Sequence, residues 1–314
     1  MDKNSTSSRV SPPGPPWHNM LEAIRSSPPV YLLQLAKKYG DIVKFQGAFP
    51  VYSVSNPESV REILTKAWPE FTRDTIDYKV ISTVFGKGLV TNEGESWARQ
   101  RRLMQPVFGS KSVNGFDTII NSVTQNIVDD WKSNGNTNIW LDREMSRITF
   151  QIVSRTLFGA DIDEVADEMI DILMLLNIHP LRLDALLRLF PYIPTPSNGR
   201  FKAANKRLDE IVYSLIKAHE DCTNESDDIV DRLLKAVDPE TGEGMDKKQI
   251  RDEVVTLMLA GHETSSTGLT WTFFLLSQHP EIEKKLLEEL ENVLQGRTPE
   301  SGDLTQLPYL KQIV

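Results

Sequence analysis

The sequence contains a single cysteine, Cys222, among its 314 residues, so a disulfide framework within the chain is excluded. One thiol suits a reducing compartment such as the cytoplasm. Residues 1–16 are polar and then Pro-rich, without the apolar stretch of a secretory signal peptide, and they predict a disordered lead. We therefore expect a cytoplasmic protein whose folded domain occupies residues 17–314.

Clustered positive charge and long apolar runs are also scarce. The formal net charge is −9, which argues against nucleic acid as a partner because phosphate contacts need grouped Lys and Arg. The sequence contains no uncharged run of about 20 apolar residues, which is the length that a membrane-spanning helix needs. The nearest candidate, residues 254–276, carries His262 and Glu263 at its centre, where a bilayer would make them costly.

Common catalytic signatures are missing as well. His262-Glu263 begins a zinc-protease HExxH pattern, but Ser266 stands where the second histidine would be, so the metal site is excluded. No nucleophile elbow, Walker A loop, GxGxxG or CxxC pattern is present. These absences exclude the corresponding classes of hydrolase, nucleotide-binding and redox site.

The periodicity of apolar residues predicts a mainly α protein with a small β-sheet, an α+β fold. A helix is predicted over 28–39, a β-hairpin from "DIVKFQG" and "VYSVS", and a helix opened by Asn56-Pro57. Residues 67–92 read as irregular. A capping pattern at Asp246 and Gln249 opens a helix that could reach residue 278, and Pro280 opens another. The remaining predicted helices are 93–106, 113–133, 142–158, 163–177, 198–220 and 225–237.

One stretch of the long helix, "LAGHETSST" at 259–267, places polar side chains inside an apolar run, where burial costs free energy. One interpretation is a helix that bends, because Gly261 weakens it and Thr264 can bond back to the carbonyl of Ala260. The other is a small groove against a flat cofactor, with the Thr264 hydroxyl and the Glu263 acid acting as a proton relay.

A second constellation is "ESWARQRRLMQPVF", residues 95–108. Trp97 and Arg101 are four residues apart and so share one helical face. An Arg fork and an indole N–H could together hold an acidic group of an apolar ligand. The alternative is a core Trp beside a solvated Arg face. Under either interpretation, Arg99, Gln100 and Arg102 are expected to belong to that solvated face.

With both constellations in view, the chain resembles the cytochrome P-450 family, the haem-thiolate monooxygenases. "AGHETS" is similar to the oxygen-activation motif of its long I-helix, and "WARQR" to the WxxxR of its C-helix. The resemblance continues in order along nearly the whole chain. Its other parts are "SPPGPP", "YGDIVKF", "VYSVSNPESVREIL", "LSQHPEIEKKLLEEL" and "LTQLPYLKQIV".

The resemblance implies roles for six residues. Glu263 and Thr264 would help to deliver protons to dioxygen, and Ala260 and Gly261 would form the groove where oxygen sits. Trp97 and Arg101 would bind a propionate of haem b. The implied pocket is lined by residues near 75–90 and 173–200. The latter region includes the apolar "LLRLFPYIPTP", which suits an apolar substrate or peripheral membrane contact, and ordinary core packing explains it equally well.

The chain also departs from the family pattern. The K-helix ExxR and the loop with the haem-ligand cysteine are absent from these residues, so no metal ligand is assigned. Cys222 lies in an acidic context that opposes a thiolate. Residues 17–314 therefore resemble an incomplete domain, and we expect the chain by itself to be an inactive fragment.

Two functions follow as expectations. The first is a monooxygenase that inserts one oxygen atom from dioxygen into an apolar small molecule. Its electrons would come ultimately from NAD(P)H through a ferredoxin- or flavoprotein-type donor. The second is a non-catalytic helical remnant that binds a partner or ligand.

Overall fold

The computed structural model describes residues 11–16, 27–45, 51–108, 115–133, 135, 138–159, 163–176, 195–221 and 228–314. Cys222 and much of the "LLRLFPYIPTP" region lie outside these residues. The chain divides into two compact units, residues 1–72 and 73–314. No helix among the described residues carries a stretch that is long and apolar enough to span a membrane.

The first unit is a helix packed on a two-stranded sheet. It contains α1 (Pro28–Tyr39), β1 (Ile42–Phe45), β2 (Val51–Val54) and α2 (Pro57–Thr65). The strands pair antiparallel with Ile42 opposite Val54, which confirms the predicted hairpin strands. The Asn56 side chain accepts a hydrogen bond from Ser59 N at 3.0 Å, so α2 begins with the predicted cap.

The segment 11–16 differs from the expected disordered lead. The amide of Lys44 in β1 donates to the Pro13 carbonyl at 3.0 Å. A side chain at Gly14 would collide with the Lys44 carbonyl oxygen, 1.9 Å from an ideal Cβ. These residues therefore lie against β1, because a missing side chain at position 14 allows the two backbones to approach. Residues 1–10 lie outside the described part of the chain.

The described residues of the second unit form mainly helices, as the sequence predicts from residue 93 onward, with an isolated antiparallel bridge between Val237 and Gly244. Its core lies between the central helices and includes Phe150, Phe158, Met169, Leu208 and Met258, all under 2% exposed. The α-helices are α3 (Ile76–Phe85), α4 (Gly94–Met104), α5 (Phe116–Ser133), α6 (Leu141–Phe158), α7 (Asp163–Leu176), α8 (Pro196–Asp221), α9 (Ile229–Lys235), α10 (Lys247–Gln278), α11 (Pro280–Leu294) and α12 (Pro308–Ile313).

Helix α3 corrects the expectation that residues 67–92 are irregular. Its residues are rich in β-branched side chains, which have low intrinsic helix propensity. Val80 and Val84 are nonetheless 0% and 1% exposed. They lie four residues apart and so share a face, and its burial stabilises a helix that local propensity does not favour.

The long helix α10 matches its prediction closely. The Asp246 side chain accepts a hydrogen bond from Gln249 N at 2.7 Å, which satisfies an amide that the helix itself leaves unpaired. The helix then continues for 32 residues to Gln278. It passes through the "LAGHETSST" stretch without a break in its helical assignment.

Candidate functional site

The polar stretch of α10 is divided between two sides of the helix. His262 and Ser266 are buried, at 4% and 6% exposure. Ala260 and Thr264 are exposed, and Glu263 is half-buried between the two sides. Only part of the polar stretch is therefore buried. Residues four apart lie on the same face of a helix. This spacing explains why His262 and Ser266 are both buried, whereas Ala260 and Thr264 are both exposed.

Thr264 makes the back-bond that its spacing predicts. Its Oγ1 donates to the Ala260 carbonyl at 2.6 Å. The hydroxyl proton is thereby held on the helix, while the oxygen lone pairs remain open on the exposed side. Ala260 and Thr264 thus form a small, partly polar surface on one face.

Gly261 contacts a different neighbour. A Cβ at Gly261 would lie 3.0 Å from Cγ2 of Val153 in α6. A missing side chain therefore lets α6 and α10 approach closely at this point. That packing accounts for the glycine on structural grounds, and its implied part in an oxygen groove stays a prediction.

Glu263 lines a cavity of about 200 Å³ between α6, α7 and α10. The cavity wall is partly polar, with Asp142, Ser146, Ser266 and Thr270 among its residues. Ser266 Oγ donates to the Glu263 carbonyl at 3.0 Å, and Thr270 Oγ1 donates to the Ser266 carbonyl at 2.7 Å. Both hydroxyl oxygens keep lone pairs that can accept from water.

His262 also borders this cavity but contributes no charge to it near neutral pH. Burial lowers its pKa to about 4, and the Ser146 carbonyl opposes that shift to a lesser extent. Neither ring nitrogen makes a well-formed hydrogen bond with the described residues. The ring stands edge-on to Phe150, with centroids 5.6 Å apart. His262 is therefore neutral near pH 7, which suits packing rather than proton transfer.

The second constellation forms at the surface of α4. Arg101 is exposed, with its Cζ atom 5.3 Å from the centroid of the half-buried Trp97 ring. A second guanidinium, that of Arg73, lies 5.9 Å from the same ring. Arg73 Nη1 donates to the Leu89 carbonyl at 3.3 Å. Two cations therefore lie close to Trp97, an arrangement that favours an anionic ligand.

Arg73 was missed by the analysis of the sequence. It is 24 positions before Trp97, outside any helical spacing that a pattern could show. Its backbone amide donates to Glu93 Oε2 at 2.7 Å, and this contact brings the segment next to the start of α4. No local signal in the sequence encodes that approach.

The neighbours of Arg101 behave differently from it. Arg99 Nη2 donates to the Gly244 carbonyl at 2.8 Å, and Arg102 Nη2 to Glu240 Oε2 at 2.8 Å. Both side chains therefore bind the segment that follows α9. Arg101 makes no ion pair with the described residues, so it is the member of this cluster whose charge is available.

Gln100 corrects the expectation of a solvated Arg face. It is 1% exposed, and its Nε2 donates to the Lys87 carbonyl at 2.7 Å. Lys87 N in turn donates to Asp252 Oδ2 of α10 at 2.8 Å. The loop between α3 and α4 therefore connects the helix of Trp97 with the helix of Glu263.

The comparison with known families decides what these constellations belong to. The sequence model described as Cytochrome P450 matches residues 9–314. The chain belongs to the cytochrome P450 family. Its membership confirms the resemblance and the mainly α fold, and haem is the cofactor that the family uses.

Individual relatives support the same assignment. Cyclooctat-9-en-7-ol 5-monooxygenase of Streptomyces melanosporofaciens is 31% identical over 91% of this chain and 62% of its own length. Pentalenene oxygenase of Streptomyces avermitilis is 31% identical over 91% of this chain and 63% of its own length. Cytochrome P450 72A15 of Arabidopsis thaliana is 28% identical over 90% of this chain and 57% of its own length. The chain thus spans about three fifths of the length of these relatives.

Proposed function

We propose that the protein is a haem-dependent monooxygenase that inserts one oxygen atom from dioxygen into an apolar organic substrate. The observation that carries the proposal is the available guanidinium of Arg101 against Trp97, in a chain of the cytochrome P450 family. Haem b would supply the oxygen chemistry, and the protein would supply binding, orientation and protons.

The cluster around Trp97 fits the acidic end of haem. A propionate carries one negative charge and two acceptor oxygens, which match the paired N–H groups of a guanidinium. Arg101 would bind the propionate directly, with the Trp97 indole N–H as a further donor. Arg73 would add a second positive charge near the same ring.

The surface at Ala260 and Thr264 would face the reaction. Ala260 is small enough to leave room for dioxygen beside the helix. Thr264 would orient a proton at its hydroxyl, and Glu263 would hold the next proton at its carboxylate. The cavity beside Glu263 offers hydroxyl groups that could order water and restore that proton from solvent.

The substrate class and the electron donor are proposed from the family to which the chain belongs. The segment 75–90, which includes α3, and residues 173–200 would line the substrate site, although residues 177–194 lie outside the described part. The relatives' names include cyclooctat-9-en-7-ol and pentalenene, which agree with an apolar substrate. Electrons would come ultimately from NAD(P)H through a ferredoxin- or flavoprotein-type partner.

A second candidate is a non-catalytic protein that binds a partner or an apolar ligand. It is favoured by large apolar side chains on α10 that stay exposed, because contiguous apolar surface marks binding sites. Trp271 is 58% exposed, Phe274 49% and Leu275 51%.

The first experiment is to read the transcript on the 3′ side of the codon for Val314. A continuing frame that encodes an ExxR helix and a cysteine in a thiolate-ligand loop would support the monooxygenase. A stop codon at that point would favour the binding protein, and the catalytic proposal would be withdrawn.

The role of Arg101 can then be tested by haem titration of the expressed protein, followed by tryptophan fluorescence and haem absorbance. Arg101→Leu should weaken haem binding about tenfold or more, because a charged hydrogen bond contributes about 1.5–3 kcal/mol. The matched control is Arg102→Leu, whose guanidinium is paired with Glu240 and Asp238. Equal affinities for the two variants would contradict the propionate role.

A further inference from the structure

The loop between α3 and α4 is seated on the first turns of α10 by two carboxylates. Lys87 N donates to Asp252 Oδ2 at 2.8 Å, and Leu89 N donates to Glu253 Oε2 at 3.0 Å. Two adjacent carboxylates of α10 therefore accept hydrogen bonds from two backbone amides of the same loop, two residues apart. Neither carboxylate belongs to the site described above.

Two glycines bring the loop backbone directly onto the helix. At Gly86, whose φ is +58°, an ideal Cβ would lie 2.2 Å from the Asp252 carboxyl group. At Gly88 it would lie 2.1 Å from Thr256 Oγ1 and 2.7 Å from the Asp252 carbonyl oxygen. The seated loop therefore has no room for a side chain at either position.

The two ends of the loop are held in addition. Arg251 Nη1 donates to the Val84 carbonyl at 2.7 Å, at the end of α3. Gln100 of α4 donates to the Lys87 carbonyl at 2.7 Å. Opening of the loop would therefore be a discrete event that breaks several hydrogen bonds together.

The two carboxylates differ in how their charge is compensated. Asp252 Oδ1 accepts from Arg251 Nη1 at 3.0 Å, so its charge is paired. Glu253 is 0% exposed, and its Oε1 atom is buried without a hydrogen-bond partner. A buried, unpaired carboxylate is costly in its charged form and much less so as a neutral acid.

Glu253 accordingly prefers to carry a proton. Burial raises its pKa to about 7, opposed by the Leu89 amide and helped by the charge of Asp252. The other charged groups nearby are already engaged: Arg251 pairs with Asp252 and, through Nη2 at 2.6 Å, with Asp209 of α8. Lys87 is the charged residue of the 86–89 loop, and its side chain is exposed while its backbone amide binds Asp252.

We propose that Glu253 is a proton-dependent positioning residue that keeps the 86–89 loop seated on α10 as a neutral acid and releases it on ionisation. Opening the loop hydrates the carboxylate, so release and loss of the proton are coupled. The proposal that this loop borders a substrate pocket rests on the proposed function, whereas the seating itself does not.

The coupling sets the size of the expected effect. The seated group titrates near pH 7 and a hydrated one near its ordinary value of 4.5. Between these values the released fraction should rise about tenfold per pH unit, and above about pH 7 it should become level.

The experiment is amide hydrogen exchange at Leu89 and Lys87 in this chain between pH 5 and 8, expressed relative to the intrinsic exchange rate. Native protection should fall about tenfold per unit between pH 5 and 7. Glu253→Gln should abolish the slope, because Gln cannot ionise while its oxygen still accepts from Leu89. Glu95→Gln, an exposed acid of α4, should keep the native slope.

A flat native profile, or a slope that survives Glu253→Gln, would overturn the proposal. The ¹³C chemical shift of the native Glu253 carboxyl group tests it without any variant, and a midpoint near pH 4.5 would also overturn it. A flat profile leaves the haem titration of Arg101→Leu untouched, and a failed haem titration leaves the exchange result standing. The two proposals therefore fail separately.

Discussion

The two halves of α10 belong to one uninterrupted helix and have opposite environments. In the first half, residues 250–259, the charged side chains of Arg251, Asp252 and Glu253 are 6%, 3% and 0% exposed. In the second half, Trp271 and Phe273 are 58% and 49% exposed. Side-chain polarity alone would have assigned burial the other way round. Burial is therefore decided by what packs on each half.

The buried charges are tolerated because most of them have partners. The Arg251 guanidinium binds Asp209, Asp252 and the Val84 carbonyl, three acceptors on three helices. Burial of such a group costs free energy that only good hydrogen-bond geometry offsets. The exposed half carries no such constraint, and its helix depends on backbone bonds and propensity.

The largest expected difference between the halves comes from Arg251→Ala. Removing this guanidinium leaves Asp252 buried without its cation, which should lower the free energy of unfolding by about 4 kcal/mol. Urea unfolding at pH 7 measures the change. Lys248→Ala, an exposed cation three residues earlier on the same helix, should change it by less than about 0.5 kcal/mol. Similar losses for both variants would show that the pairing of the buried charge contributes little.

An intermediate effect is expected from pH, at His262. Its folded pKa of about 4 is below the ordinary 6.5, so the unfolded chain binds the proton first as the pH falls. Stability from this group is complete above pH 6.5 and decreases by about 2 kcal/mol between pH 6.5 and 5. Glu253 acts in the opposite direction, since its raised pKa makes the folded state bind the proton first.

His262→Leu isolates the histidine contribution. The difference in unfolding free energy between the native chain and this variant should shift by about 2 kcal/mol in favour of the variant from pH 6.5 to 5. Urea titrations at both pH values give that difference, in which the Glu253 contribution cancels. A difference that stays constant with pH would mean that the ring has the same pKa in the folded and the unfolded states.

The smallest expected effect distinguishes the two glycines of α10. Gly268→Ala should stabilise the chain by about 0.5–1 kcal/mol, because Ala favours a helix and no atom lies within 4 Å of the new Cβ. Gly261→Ala gains the same propensity but places its Cβ 3.0 Å from Val153 Cγ2. Its net effect should be near zero or destabilising, as thermal unfolding would show. Equal stabilisation would mean that α6 yields freely.

Much of this arrangement could be predicted from short-range patterns. The cap at Asp246, the length of α10, the start of α2 at Pro57 and the Thr264 back-bond all depend on residues within a few positions of each other. Such interactions are local, so their spacing in the sequence is their spacing in space. The motifs at Trp97 and Glu263 were found for the same reason.

The errors share the opposite property. The burial of Gln100 depends on the Lys87 carbonyl, the helix at α3 on the packing of Val80 and Val84, and the position of Arg73 on Glu93. Two of these features depend on contacts between residues that are distant in sequence, and the third depends on the burial of one helix face. Patterns of polarity assigned these residues to solvent or to irregular structure because they contain no information about neighbours.

By itself, the sequence determined the order of the helices, their caps and the family to which the chain belongs, since these depend on local hydrogen bonds and on motifs with defined spacing. Only the tertiary structure decided which charges are buried, where Arg73 meets Trp97 and how Glu253 meets the loop at 86–89. Those contacts arise when distant segments pack together, and the free energy of each depends on a partner that no local pattern specifies.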